Sequence, residues 1–228
     1  MVDDNSQKIY VTKHFSFFEK ILLNKRKEIL NVLKNFLNNL EINDILDIGS
    51  TEDKINTSSN FIIKNLGNYK TYKSISDQKI ISNFFLKKLQ KSITDDFSEN
   101  EIKDFKSDIT ISNATIEHVG SFENQVKMCK NIINLTKKYY IIITPNRFHP
   151  LEFHTKIPLI HWLPKKIYRG ILNIIGFKFF AKEKNLNLLS EQDFRLIMKK
   201  LGQNNFDIKY IKFFFIKSNL ILIGKKIK

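Results

Sequence analysis

The chain has 228 residues, of which 42% are apolar and 27% charged, and its formal net charge is +15. That length suits one well-cored domain, and the composition excludes a disordered chain. No run approaches the roughly 18 apolar residues of a spanning helix, and the single Cys129 excludes a disulfide framework and a multi-cysteine zinc site. The opening MVDDNSQ is acidic and polar rather than a secretory signal, so the expected compartment is the cytoplasm. The basic excess is nearly all lysine: Arg26, Arg147, Arg169 and Arg195 are the four arginines among 38 basic residues. Arginine is the better fork for phosphate and guanine. The lysines are spread along the chain, so nucleic acid is not an expected partner.

The first segment opens with capping-box spacing at Ser16 and Glu19. Apolar residues at Phe18, Ile21, Leu22, Ile29, Val32, Leu33, Phe36, Leu37 and Leu40 then follow helical spacing. Ile42 to Gly49 reads as a strand, Thr57 to Leu66 as a helix, and Tyr69 to Ile75 as a short strand. The spacing predicts a helix over Gln78 to Gln90 and a brief strand over Ser92 to Thr94. Ile109 to Ser112 is a strand, Glu123 to Leu135 a helix and Tyr139 to Thr144 an apolar strand. Strands alternating with helices, at connections too long for hairpins, predict an α/β fold with a parallel sheet covered on both faces.

All 4 prolines fall between Pro145 and Pro164, which requires a structured loop rather than a helix or central strand. Lys165 to Phe180 looks helical. Ser190 caps a helix that runs to Leu201 and stops at Gly202. Phe206 to Ile216 and Asn219 to Ile223 close the chain as an antiparallel pair turning at Lys217-Ser218.

Ligands of open parallel sheets bind beyond the carboxyl ends of the strands. Those ends are Asp47 to Asp53, Ser76-Asp77, Asp95-Asp96, Ser112 to His118 and Pro145 to His154. Four of the 5 histidines, His118, His149, His154 and His161, follow the last two of these strands or lie in the next loop.

Several runs carry a resemblance: ILDIGSTED (Ile45 to Asp53), SDITISNATIEHV (Ser107 to Val119), YYIIITPN (Tyr139 to Asn146) and LLSEQDFRLIMKKLG (Leu188 to Gly202). In order and spacing the chain resembles the class I S-adenosylmethionine-dependent methyltransferases, of the broad small-molecule, methyltransferase-11-like type. The resemblance covers about Ile42 to Gly224. It implies a Rossmann-like, mostly parallel seven-stranded sheet with a terminal antiparallel pair. The single domain, 1–228, would carry an N-terminal helical cap at 1–41 and a proline/histidine-rich, basic-apolar insert at 147–189 forming a substrate lid.

The implied cofactor is S-adenosyl-L-methionine. Carried over residue by residue, Asp47, Gly49 and Ser50 stand at the first motif, and Asp77 stands one residue past the usual ribose-binding acid. Asp95 or Asp96 takes the adenine-side position, and Asn113 follows the fourth strand. The family's further glycines are replaced by Thr51 and Asp53. This departure leaves two readings open, an enzyme and a methyltransferase-fold binding or scaffold protein with a degenerate donor site. A dinucleotide oxidoreductase would need the G-x-G-x-x-G turn, and Gly49 alone does not supply it.

His118 and His149 are the candidate catalytic groups, as bases toward an acceptor hydroxyl; for His118, capping or orienting the turn into the next helix is the rival reading. Ubiquinone-pathway O-methyltransferases can bind a divalent cation at Glu-x-x-Glu-His. Here the first position is Ala114, and no metal is expected. Arg147, Glu152 and His154 are candidate substrate contacts, with packing against Trp162 and Phe153 as the rival reading. Lys165 to Lys184 mixes basic and aromatic residues around an apolar stretch. That suits a helix on an anionic membrane, a lid over an apolar pocket, or a core helix. The expected acceptor is a small molecule or an amphipathic, lipid- or glycan-linked one. Peripheral contact with the inner face of a membrane is the accompanying expectation.

Overall fold

The structure, a computed structural model, describes residues 16–52, 60–213 and 215–226, with side chains from residue 20 onward. Seven strands form one sheet: β1 (Asp44–Ile48), β2 (Thr71–Ser76), β3 (Lys87–Gln90), β4 (Ser107–Asn113), β5 (Thr136–Pro145), β6 (Phe206–Phe213) and β7 (Ile216–Lys225). Their order is β3-β2-β1-β4-β5-β7-β6. The first five strands run parallel, and β7 inserts antiparallel between β5 and β6.

The period of two decides which face each residue covers. Leu46 and Ile48 of β1, with Tyr140 and Ile142 of β5 and Leu222 of β7, enter one core. That core is closed by Met128 and Ile132 of α4 (Phe122–Asn134) and by Phe194 and Ile197 of α6 (Glu191–Lys200). Ile45, Ile109, Ile111, Ile141, Ile143 and Ile221 point the other way. They meet Leu33 and Leu37 of α1 (Ser16–Leu37) and Ile62 and Ile63 of α2 (Phe61–Asn65). Tyr140 to Ile143 are buried on both faces, each burial contributing roughly 2 kcal/mol. A third cluster, Tyr168, Leu172, Phe180, Ala181, Leu186 and Leu188, belongs to the 147–189 segment itself.

Several sequence expectations are corrected. The helix predicted at Gln78 to Gln90 is irregular chain followed by β3. A helix would stack Ile81 on Phe85, yet Phe85 is buried while Ile81 is 60% exposed. β2 also has an open edge, which Lys87 to Gln90 fill by parallel pairing. Ser92 to Thr94 is a turn held by the Ser92 hydroxyl, which accepts from Thr94 N at 3.2 Å. α3 (Glu99–Phe105) was missed, although Ser98 and Glu101 have the capping-box spacing that the structure uses. The helix expected over Lys165 to Phe180 is α5 (Lys165–Ile174), closed by Gly176 at φ +91. The terminal hairpin turns between Phe213 and Ile216, not at Lys217-Ser218, because Ile216 and Lys217 are themselves paired, opposite Phe213 and Lys212 of β6. The side chains of the Ser16–Glu19 capping box and residues 57–59 of the Thr57 to Leu66 helix lie outside the described residues.

Candidate active site

The chain leaves β1 through Gly49 at φ +87. A side chain there would be strained, and its Cβ would collide with Thr115 Oγ1. The space that Gly49 leaves open is thus taken by Thr115, the residue that locks the β4 turn by donating to Ile48 O at 3.2 Å. Gly49 N donates to Ile75 O at 2.9 Å. Ser50 donates to the buried Asp47 carboxylate, and Ser74 donates to Ser50 Oγ at 2.8 Å. Ser76 donates to Ser50 O, also at 2.8 Å. The ends of β1, β2 and β4 are therefore tied by small hydroxyls rather than by bulky side chains.

At the position of the missing glycines, Asn60 at the start of α2 clamps the chain: its Nδ2 donates to Thr51 O at 2.6 Å. The Glu52 carboxylate turns away and accepts from the Ile81 and Ser82 amides. It does not fill the bend. Asp53 lies outside the described residues. Asp47, Gly49, Asn60 and Asn113 line a recess at this edge with Ile48, Ile62, Ile63 and Ile111. Asp77 is exposed one residue past β2. Asp95 and Asp96 lie five and six residues past the end of β3, and Asp96 is turned to α4, where it pairs with Lys127 at 3.0 Å. The structure thus gathers Asp47, Gly49, Ser50 and Asn113, places Asp77 at the end of the neighbouring strand, and leaves Asp96 facing another way.

A second group lies past β4 and β5. A 3-10 turn, Ile116–His118, carries Glu117 into the interior, fully buried. Its Oε2 accepts from Thr144 Oγ1 at 2.9 Å, and burial pushes its carboxyl above the ordinary range. His118 Nδ1 lies 2.7 Å from Asn185 O. Burial, then the neighbouring His154, pushes His118 down to about 3, so its ring is neutral at physiological pH. His154 packs edge-on against His118, with ring centroids 4.9 Å apart. Its Nδ1 is 2.6 Å from Glu152 Oε1. Burial alone would raise Glu152 and lower His154. Their mutual attraction reverses both, bringing Glu152 to about 2 and raising His154.

His149 stands apart from this group. Its Nδ1 contacts Leu151 O at 2.9 Å, its ring stacks on Phe153, and it lines an apolar recess with Ile21, Leu22 and Phe213. The two candidate histidines thus have different neighbours, Asn185 and His154 for His118, Leu151 and Phe153 for His149. Arg147 spends its fork on the loop backbone, donating to His161 O at 3.3 Å and Leu163 O at 2.9 Å. It also lines a recess with Lys165, Arg169 and Asn187.

Asn187 escaped the sequence reading. Buried, it donates through Nδ2 to Gly120 O and accepts from Lys165 Nζ, both at 2.7 Å, and its backbone amide donates to Glu117 O. It fastens the 147–189 segment to the turn that carries Glu117 and His118. No local signal marks it: it is one asparagine among many, and its partners are 22 to 70 residues away.

No protein-family model matches the sequence, and no curated protein matches it. Solved structures do resemble it in fold. Magnesium protoporphyrin IX methyltransferase from Synechocystis PCC 6803, with bound S-adenosylhomocysteine, superposes at a TM-score of 0.54 and 14% identity over 98% of this chain and 93% of that one. N-methyltransferase NodS from Bradyrhizobium japonicum WM9, also with S-adenosylhomocysteine, gives 0.54 and 8% over 100% and 94%. The 1,6-didemethyltoxoflavin-N1-methyltransferase of Burkholderia thailandensis gives 0.54 and 8% over 89% and 78%. The chain has the Rossmann-like fold of the class I S-adenosylmethionine-dependent methyltransferases.

Proposed function

We propose that this chain is an S-adenosylmethionine-dependent methyltransferase whose acceptor is a small molecule or an amphipathic, lipid- or glycan-linked one. The observation that carries the reading is the β1 bend. There the left-handed Gly49, the Asp47 carboxylate and Asn113 border a recess at the carboxyl edge of the methyltransferase sheet. Glu52, beside the replaced glycines, is turned onto the Ile81 and Ser82 amides rather than into that recess. Asp47 is suited to the cofactor's ammonium end and the exposed Asp77 to its ribose hydroxyls.

When bound, the cofactor supplies a methyl already activated by its sulfonium. The chain's own residues then have to hold an acceptor in line with that methyl and keep water out. His118 sits past β4 as a neutral imidazole. With a value near 3 it is a weak base, so it is not suited to take a proton from an acceptor hydroxyl. An amphipathic acceptor is supported by the outer face of the 147–189 segment. Trp162, Leu163, Ile167, Ile174 and Ile175 are exposed there among the exposed Lys166, Lys178 and Lys182. Apolar residues rimmed by lysine suit an anionic lipid surface.

Calorimetric titration with S-adenosylhomocysteine tests the reading, with one molecule expected per chain. Folded protein that gives no binding would instead favour the scaffold reading that Thr51 and Asp53 in place of glycines keep open. Flotation with phosphatidylglycerol vesicles, against neutral vesicles, tests the basic face. Equal binding to both would argue against it.

A further inference from the structure

We propose that Glu117, His118 and His154 form a binding site for one divalent first-row transition-metal ion, with zinc the expected occupant. One ligand atom from each of the three lies within 4.8 Å of the others. The two histidines are already set in the tautomer that such a site requires. Asn185 O is a carbonyl and only accepts, so the His118 nitrogen 2.7 Å from it, Nδ1, carries the hydrogen and the ring lone pair is at Nε2. His154 Nδ1 likewise donates to the Glu152 carboxylate at 2.6 Å, so the nitrogen left for an ion, which would displace any proton there, is Nε2. Metal-bound imidazoles have this arrangement, with the far nitrogen donating to a carboxylate or a backbone carbonyl.

Glu117 supplies the independent observation. Its side chain is fully buried, Thr144 satisfies Oε2, and Oε1 has no hydrogen-bond partner. A buried carboxylate oxygen without a donor is costly. A cation between it and the two rings would compensate it directly. Two imidazole nitrogens and one carboxylate oxygen are borderline donors. They suit zinc and its first-row neighbours rather than magnesium or calcium, which take oxygen ligands. Zinc takes such ligands at about 2.0–2.2 Å, which sets them roughly 3.4 Å apart, so the side chains close inward on binding.

The ligands come from two segments, the turn after β4 and the proline-rich loop, 36 residues apart between His118 and His154. A bound ion would therefore pin the 147–189 segment to the sheet. Three protein ligands leave a fourth position for water or an acceptor oxygen. Only that last role rests on the methyl-transfer reading.

The test uses the full chain, stripped with a chelator and titrated with Zn²⁺ against a chromophoric zinc indicator, with no methyl donor present. One ion per chain is expected, with a rise in melting temperature and, for Co²⁺, visible absorption of a low-coordinate site. His154→Ala should lose the stoichiometric binding. Glu152→Gln, which keeps all three ligands, should weaken it about 10- to 100-fold. Because Glu117 is fully buried, Glu117→Gln is read beside His154→Ala, whose side chain sits on the loop. Failure of the stripped wild type to bind stoichiometrically would overturn the site and leave a Glu–His ion pair only. So would unchanged affinity in folded His154→Ala. Neither outcome bears on donor binding, which is measured separately.

Discussion

The two ends of the carboxyl edge are held together by different means. At the β1 bend the contacts run between adjacent strands and are made by hydroxyls, a glycine and backbone amides: Ser50, Ser74, Ser76, Thr115 and Gly49. Past β4 and β5 the contacts are charged or imidazole groups, buried, and bridged by a segment that enters late in the chain. The first end presents a recess lined by Asp47, Gly49, Asn60 and Asn113 with four isoleucines. The second is a dense interior cluster that orients groups.

The contrast can be broken at either end. Gly49→Ala should cost about 3 kcal/mol, from left-handed strain and collision with Thr115, read by urea unfolding. Adding Thr115→Ala should recover part of that loss and leave the strain. Full recovery would mean that the φ of +87 is not costly. At the other end, Asn187→Ala removes a buried side chain that bonds Gly120 O and Lys165. A loss of about 2 kcal/mol is expected, with faster proteolysis inside 147–189 and unchanged S-adenosylhomocysteine affinity. A drop in that affinity would show that the two ends are not separable.

Smaller effects sharpen the division. Asp77→Asn should weaken donor binding about tenfold, or about 1.4 kcal/mol, and leave the melting temperature where it was. The weakest expected effect is at Glu191, which accepts from Lys217 of β7 at 2.9 Å and from Arg195 at 2.8 Å. These two cations, Lys217 first, hold its carboxyl below the ordinary 4.5. Its contribution, about 0.5 kcal/mol, is therefore present above pH 4.5 and disappears as pH falls through its depressed value. Unfolding curves of Glu191→Gln and the parent chain should converge in acid and separate near neutrality.

Strand and helix order was legible wherever apolar period and caps agreed. β1, β4, β5 and α4 lie within a few residues of their expected bounds, and Ser190 caps α6 as expected, with Asp193 completing the box. The reading failed where an edge decided the outcome. Lys87 to Gln90 have no period of their own worth following, and they are a strand because β2 offers an unpaired edge. At the site, the motif residues around Gly49 could be placed because strand ends are sequence landmarks. The pairing of His118 with His154 could not, since the proline-rich loop gives no period from which to place its histidines.

The amino-acid sequence by itself determined the alternation of buried strands and amphipathic helices, the bend at Gly49 and the position of the irregular segment, because these follow from local period, φ preference and capping. Tertiary structure alone decided which histidine faces which carboxylate, that Thr115 fills the space beside Gly49, and that Asn187 fastens the insert. Each of those depends on chain segments tens of residues apart arriving at one point, and the free energy of that meeting is not written in either segment taken singly.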